Sequence, residues 1–210
     1  MLGFLKSTKW PELSFEEIKK RSRLLVIDDN EFPYKELFER DGYTIDKWDD
    51  IENLSKLENG YYDIILLDIQ GVGESHSEEQ GFGILKHLRT TTPAQIVIAY
   101  SNTDWSLKYQ DFFDLADSRL DKRADYVDFK RKVDGLLKER FSLGFFIGRI
   151  DKILSGSVLE RDKIRRTLEK SIQTRNVDKL SKYLNAQVPD KDKVQIALSV
   201  AQVAIGIASL

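Results

Sequence analysis

Leu24-Leu25-Val26-Ile27-Asp28-Asp29-Asn30 sets an uninterrupted apolar run against two acids and an amide. A short run of that kind, closed by turn-forming polar residues, reads as a strand covered on both faces. The same figure returns in Asp63-Ile64-Ile65-Leu66-Leu67-Asp68-Ile69, and again in Ile96-Val97-Ile98-Ala99-Tyr100, which leads into Ser101. Helical spacing falls between these runs. Tyr34, Leu37 and Phe38 mark one helix, Ile51–Leu57 a second, and Phe82, Leu85 and Leu88 a third. Another strand is expected near Tyr43–Trp48 and a helix around Trp105–Leu115. Ser118–Asp121 then reads as a short fifth strand, followed by a long amphipathic helix over Tyr126–Arg140. Strands alternating with helices in this way predict an α/β fold, a flavodoxin-like five-stranded parallel sheet with helices on both faces.

The flanks differ from this core. Ser14-Phe15-Glu16-Glu17 carries Glu three residues after Ser, a capping box that opens a short helix before the first strand. Beyond residue 140 the strands stop, and Ser142–Leu154, Ser157–Thr174, Val177–Leu184 and Asp190–Leu210 all read as helices. The expected organisation is an N-terminal helical extension over 1–21, a sheet domain over 22–141 and an all-helical module over 142–210. Charge follows the same division. From Arg149 onward 12 basic residues meet 7 acidic ones, a balance of +5, while residues 1–148 hold 21 basic and 28 acidic, a balance of −7. Two parts with opposite charge suggest two jobs.

The 210 residues carry 41% hydrophobic and 32% charged side chains, which excludes disorder throughout. Cysteine is absent, which excludes a disulfide scaffold and suits a reducing, cytoplasmic setting. The opening Met1-Leu2-Gly3-Phe4-Leu5-Lys6 is too short an apolar stretch for a signal peptide. From Val194 on, Gln195, Ser199, Gln202, Gly206 and Ser209 form a narrow polar stripe on an otherwise apolar helix, so most of its circumference is expected to be buried. Seventeen residues from Val194 to Leu210 span about 25 Å at 1.5 Å each, short of a hydrocarbon core of ~30 Å. Packing in a helical bundle or between copies of the chain is therefore favoured over membrane contact, and self-association through these helices is expected.

In an open parallel sheet, ligands bind beyond the carboxyl ends of the strands. Asp28 and Asp29 follow the first strand and Asp68 the third, so three carboxylates are expected to converge. Their mutual repulsion calls for a hard divalent cation such as Mg²⁺. Ser101 closes the fourth strand and Lys122 follows the fifth, a hydroxyl and a point charge suited to phosphoryl oxygens. Taken singly, Asp28 and Asp29 would be helix caps, Asp68 a turn residue and Lys122 a surface lysine; the constellation is what speaks for a site. One residue of register separates Ser101 from Tyr100 as the residue that lines it. His76 and His87 lack partners at ligand spacing, so both are read as surface residues and no zinc site is expected.

At this point the chain resembles the receiver domain of bacterial response regulators over roughly residues 22–140. The matching pieces are Leu24–Asn30, Asp63–Ile69, Gly81-Phe82-Gly83-Ile84-Leu85-Lys86, Ile96–Ser101 and Ala116-Asp117-Ser118-Arg119-Leu120-Asp121-Lys122. The resemblance implies phosphoryl transfer to Asp68 from the phosphohistidine of a histidine kinase or phosphotransfer protein. It also implies Mg²⁺ on Asp28, Asp29, Asp68 and the backbone carbonyl of Gln70, with Lys122 and Ser101 on the phosphoryl group. Such a protein is a stoichiometric phosphoacceptor with slow self-dephosphorylation rather than an enzyme, and it acts by switching protein–protein contact or self-association.

Three positions depart from the family pattern. The loop Gly71–Gln80 is longer than usual, Arg119 stands where an aromatic switch residue is usual, and Arg123 replaces a proline. A phosphorylation-independent scaffold of the same fold is therefore an alternative. A DNA-binding regulator is a weaker one, because acids interrupt the basic run Arg161–Arg166. A haloacid-dehalogenase-like phosphatase would need Asp-x-Asp, and here the residues are Asp68-Ile69-Gln70.

Overall fold

Successive side chains of a strand point to opposite faces, so a strand with apolar residues at every position needs cover on both sides. The computed structural model, which describes residues 10–102, 110–155 and 159–209, meets that need with helices on each face. Five strands, β1 (Arg23–Ile27), β2 (Thr44–Trp48), β3 (Ile64–Leu67), β4 (Ile96–Ser101) and β5 (Ser118–Asp121), form one parallel sheet in the order β2-β1-β3-β4-β5. The helices of this unit are α1 (Phe15–Arg21), α2 (Lys35–Arg40), α3 (Leu54–Glu58), α4 (Gln80–Thr91), α5 (Gln110–Leu115) and α6 (Tyr126–Arg140).

One face of the sheet presents Leu25, Ile27, Ile65, Leu67, Val97 and Ala99. These join Leu57 of α3, Ile84, Leu85 and Leu88 of α4, and Phe112 and Phe113 of α5 in a single core. The alternate residues Leu24, Val26, Ile64, Leu66, Ile96, Ile98 and Tyr100 are equally buried on the other face. There the rings of Phe32, Phe38, Tyr100 and Phe129 meet, Tyr100 edge to face with Phe32 and Phe129 and Phe38 stacked on Phe32, tying the sheet to α2 and α6. The Ser14 capping box forms as read: the Ser14 hydroxyl accepts from the Glu17 amide at 3.3 Å and the Glu17 carboxylate accepts from the Ser14 amide at 2.9 Å.

The chain divides into two compact units, Ser14–Arg140 and a second in which residues 10–13 join those from Phe141 onward. In the second unit the Trp10 indole donates to the Phe141 carbonyl at 2.8 Å and its ring lies against Phe146. Four helices follow, α7 (Leu143–Ile153), α8 (Arg161–Thr174), α9 (Asp178–Gln187) and α10 (Lys191–Ala208). α10 packs on the other three. Gln195, Gln202, Gly206 and Ser209 are exposed as the polar stripe requires, while Val194, Ala197, Val200, Ala201 and Ala204 are fully buried. The apolar length of α10 is thus covered largely within one chain and does not by itself demand a second copy. No described helix is long and apolar enough to cross a membrane. The expected helix start near Trp105 and the break at Gly156 lie outside the described residues.

Candidate functional site

The parallel ladder continues one residue past the ends of β1 and β3, which fixes the acids. The Asp28 amide donates to the Trp48 carbonyl at 3.1 Å, and the Asp68 amide to the Ile27 carbonyl at 3.0 Å. Strand alternation then turns both carboxylates to the same face of the sheet. Asp28 and Asp68 are buried and Asp29 is exposed, with a carboxylate oxygen of each within 4.8 Å of the others. The Lys122 amide donates to the Ser101 carbonyl at 3.3 Å, so β4 in turn sets the lysine. Its ammonium donates to Asp28 Oδ1 at 2.8 Å and to Asp68 Oδ2 at 2.6 Å.

The other carboxylate oxygens are engaged only in part. Asp68 Oδ1 accepts from the Ile69 amide at 2.7 Å. Asp28 Oδ1 also accepts from the Asn30 amide at 2.9 Å, and the Asn30 side chain donates to Asp29 Oδ1 at 2.6 Å. Asp28 Oδ2 is buried and has no hydrogen-bond partner. Three ionised carboxylates against one ammonium leave two negative charges uncompensated. A buried oxygen left without a donor, among hard oxygen ligands with a twofold charge deficit, is the donor set a divalent cation takes. A cleft of about 240 Å³ opens over this cluster, lined by Asp29, Asp68, Gln70, Ser101 and Lys122 among others.

Burial pushes the Asp68 carboxyl above the usual carboxylate range, against the hydrogen bond and charge of Lys122, and the neighbouring Asp28 charge adds to the rise. Burial alone would lower the Lys122 ammonium, but its hydrogen bonds to Asp28 and Asp68 outweigh that and hold it above its ordinary value. The lysine is therefore a permanent cation at the base of the cleft.

Asp28, Asp29, Asp68 and Lys122 come together as the sequence suggests, with Gln70 and Ser101 at the cleft wall. Ser101, the last residue of β4 and 3% exposed, lines the cleft, while Tyr100 points into the aromatic cluster of the opposite pleat. His76 is exposed, but His87 is half-buried: its Nε2 lies 2.5 Å from Glu58 Oε1, a contact between α3 and α4 that corrects its reading as a plain surface residue. Arg119 folds onto α5, its guanidinium 2.8 Å from Asp114 and over the Phe113 ring. Arg123 closes on Asp121.

Sequence reasoning missed why glycines stand beside the acids: they let the backbone approach them. Gly71 has φ +77°, and a Cβ there would lie 2.6 Å from Asp29 Oδ2. A Cβ on Gly81 would lie 1.9 Å from the Asp68 carbonyl oxygen. The long loop is also tied down: Asp50 Oδ1 accepts from the Gly73 amide, and the Gln80 amide group bridges the Gly71 amide and Glu74. The pair Gly71-Val72-Gly73 was the available signal for this tight path.

No protein-family model and no curated protein matches the chain. Solved structures do. A CheY-like response regulator receiver domain protein from Methanospirillum hungatei is 24% identical, covering 57% of this chain and 95% of its own, with a TM-score of 0.48. A two-component response regulator from Clostridium difficile is 21% identical, covering 56% of this chain and 97% of its own, with a TM-score of 0.47. A response regulator from Thermotoga maritima, solved in complex with Mg²⁺-BeF, is 26% identical, covering 55% and 98%, with a TM-score of 0.44. By the order of its strands and the helices on its two faces, the sheet unit has the CheY-like receiver fold, and a set of C-terminal helices follows it.

Proposed function

We propose that this protein is a phosphorylation-controlled signalling protein that takes a phosphoryl group on Asp68 from a histidine kinase or phosphotransfer protein. The observation that carries the reading is the convergence of Asp68 with Asp28, Asp29 and the Lys122 ammonium, around a buried Asp28 oxygen that lacks a donor. Asp28, Asp29, Asp68 and the Gln70 carbonyl would hold Mg²⁺. When bound, that ion supplies charge neutralisation for phosphoryl oxygens. An Asp68 carboxylate oxygen attacks phosphorus and forms the acyl phosphate bond. The phosphorus–nitrogen bond of the donor breaks, its electron pair stays on the imidazole, and that nitrogen takes a proton from solvent. Lys122 follows the phosphoryl oxygens with its ammonium, and Ser101 offers its hydroxyl to another. The protein is then a stoichiometric acceptor that loses the group slowly to water.

The output we assign to the C-terminal helices is a change in protein–protein contact or self-association. Because α10 is covered largely within one chain, that output runs through the polar and half-buried surface of the helices. A second reading, a scaffold that signals without phosphorylation, is favoured by Arg119, which is tied to Asp114 and Phe113 where the resemblance places an aromatic switch. Mg²⁺-dependent labelling with acetyl phosphate, wild type beside Asp68→Asn, with light scattering on both, separates the two. Label on the wild type alone, with a change in mass, supports the switch through assembly. Label without a mass change moves the output to a partner protein. No label and no Mg²⁺ binding leave the scaffold.

A further inference from the structure

Tyr100 stands directly beneath the acidic site and takes no part in the mechanism as described. It pairs with Leu120 in the β4–β5 ladder, two residues before Lys122, so alternation brings Tyr100 and Lys122 to the same face. The Lys122 ammonium lies 5.2 Å from the centre of the Tyr100 ring while it donates to Asp28 and Asp68. That ring is 2% exposed and held by edge-to-face contacts, with Phe32 at 6.1 Å and Phe129 of α6 at 5.6 Å. Its hydroxyl makes no hydrogen bond among the described residues. Burial, and then the charges of Asp28 and Asp68, push the phenol well above its ordinary value, so it is neutral at working pH.

A lysine has a flexible stem and three rotatable donors, so one acceptor alone does not fix where its charge sits. In this site the two acids that hold Lys122 are also the groups whose charge must change, Asp68 by phosphorylation and Asp28 by a cation. An attraction independent of both would keep the ammonium over the reacting oxygen throughout. A ring face within about 6 Å in a desolvated setting supplies such an attraction. We propose that Tyr100 is a positioning residue for phosphoryl transfer, its ring face holding the Lys122 ammonium over Asp68. This rests on the phosphoacceptor reading above.

The test varies the electron density of the ring at constant shape. Full-length protein carrying Tyr100→Phe, Tyr100→Leu, or 3,4,5-trifluorophenylalanine at position 100 is labelled with acetyl phosphate and Mg²⁺, and the initial rate is compared with wild type. Tyr100→Phe is expected to keep the rate within about twofold, because the ring remains. The trifluoro ring, with its face depleted of charge, is expected to slow labelling about fivefold or more against Tyr100→Phe, with unchanged melting. Tyr100→Leu is expected to slow it about tenfold. If Tyr100→Leu fails to fold, the comparison of the two rings decides alone. Equal rates for the plain and fluorinated rings would overturn the proposal. A wild type that takes no label on Asp68 would overturn the phosphoacceptor reading and this role with it. The two failures are distinguishable, because the ring-current shift of the Lys122 ε-methylene protons reports the contact whether or not phosphoryl is transferred.

Discussion

The same substitution, Gly→Ala, should have opposite effects at two positions of the sheet unit. At Gly81, the second residue of α4, a Cβ would lie 1.9 Å from the Asp68 carbonyl oxygen, 3.0 Å from its carbon and 3.2 Å from Ile69 Cα. All three are backbone atoms, and the Asp68 amide is itself bonded to Ile27, so no side-chain rotation relieves the clash. Restoring van der Waals distance needs more than about 1 Å of separation between α4 and the end of β3, and overpacking of that kind costs about 3 kcal/mol. For a chain of this size that lowers Tm by about 10 °C. At Gly135, exposed in α6 with nothing within 4 Å of a new Cβ, alanine should add about 1 kcal/mol through helix propensity, or about 3 °C. Urea unfolding followed by far-UV circular dichroism reads the contrast, and acetyl phosphate labelling reads its consequence. Displacement of the Asp68 backbone should make Gly81→Ala label several-fold more slowly, while Gly135→Ala labels as wild type. A Gly81→Ala protein within about 0.5 kcal/mol of wild type, the range of an ordinary surface change, would refute the packing argument.

Lys122→Met removes the ammonium that bridges Asp28 and Asp68 and should destabilise by about 3 kcal/mol, with Mg²⁺ restoring part of the loss in thermal melts. Melts of the variant that ignore Mg²⁺ would contradict the charge argument. Burial raises the Asp63 carboxyl above its ordinary value of 3.8, against Arg140 and the Arg23 amide. The folded protein therefore holds that proton more tightly than the unfolded chain, a contribution complete below 3.8 and lost as pH rises through the folded value. The urea midpoint of wild type should fall, relative to Asp63→Asn, as pH rises above 3.8, and parallel curves would refute the assignment. Asp190→Ala removes the carboxylate that accepts from the Asp192 and Lys193 amides, each at 3.1 Å, at the start of α10. It should cost about 1 kcal/mol, read by denaturation of the full chain.

The sheet was legible because its signal is local. Four apolar residues in a row over Ile64–Leu67 allow nothing but cover on both faces, and the segment assigned to β5, Ser118–Asp121, matches the observed strand end to end. The acids were legible for a related reason: parallel strands present their carboxyl ends on one side, so Asp28 and Asp68 had to meet. What stayed hidden depends on contacts between residues far apart in sequence. Ser101 and Tyr100 differ by one place along β4, and one place exchanges the cleft for the aromatic cluster, a distinction periodicity cannot draw in a run buried at every position. The pairing of His87 with Glu58 is set by the packing of α3 on α4. Gly81 carried a family match but no reason; the reason is the Asp68 carbonyl, thirteen positions earlier in the chain.

Lys122 explains how such a site survives folding. Two carboxylates buried side by side would each demand a proton or a counter-charge, and a fold that relied on a cation for this would need the metal to form. The lysine, held above its ordinary value by the same two acids, supplies one permanent charge, enough to let β1, β3 and β5 close. It does not supply two more. The deficit that remains is concentrated on Asp29 and on Asp28 Oδ2, the oxygens Lys122 does not reach, whereas both oxygens of Asp68 already accept hydrogen bonds. A cation bound there would not first have to dislodge the lysine from Asp68, and it would weaken the hold of Asp28 on Lys122. On the proposed reading the lysine and a cation would be partners in function and competitors in charge, and the ring of Tyr100 would keep the lysine in place when the acids loosen their grip.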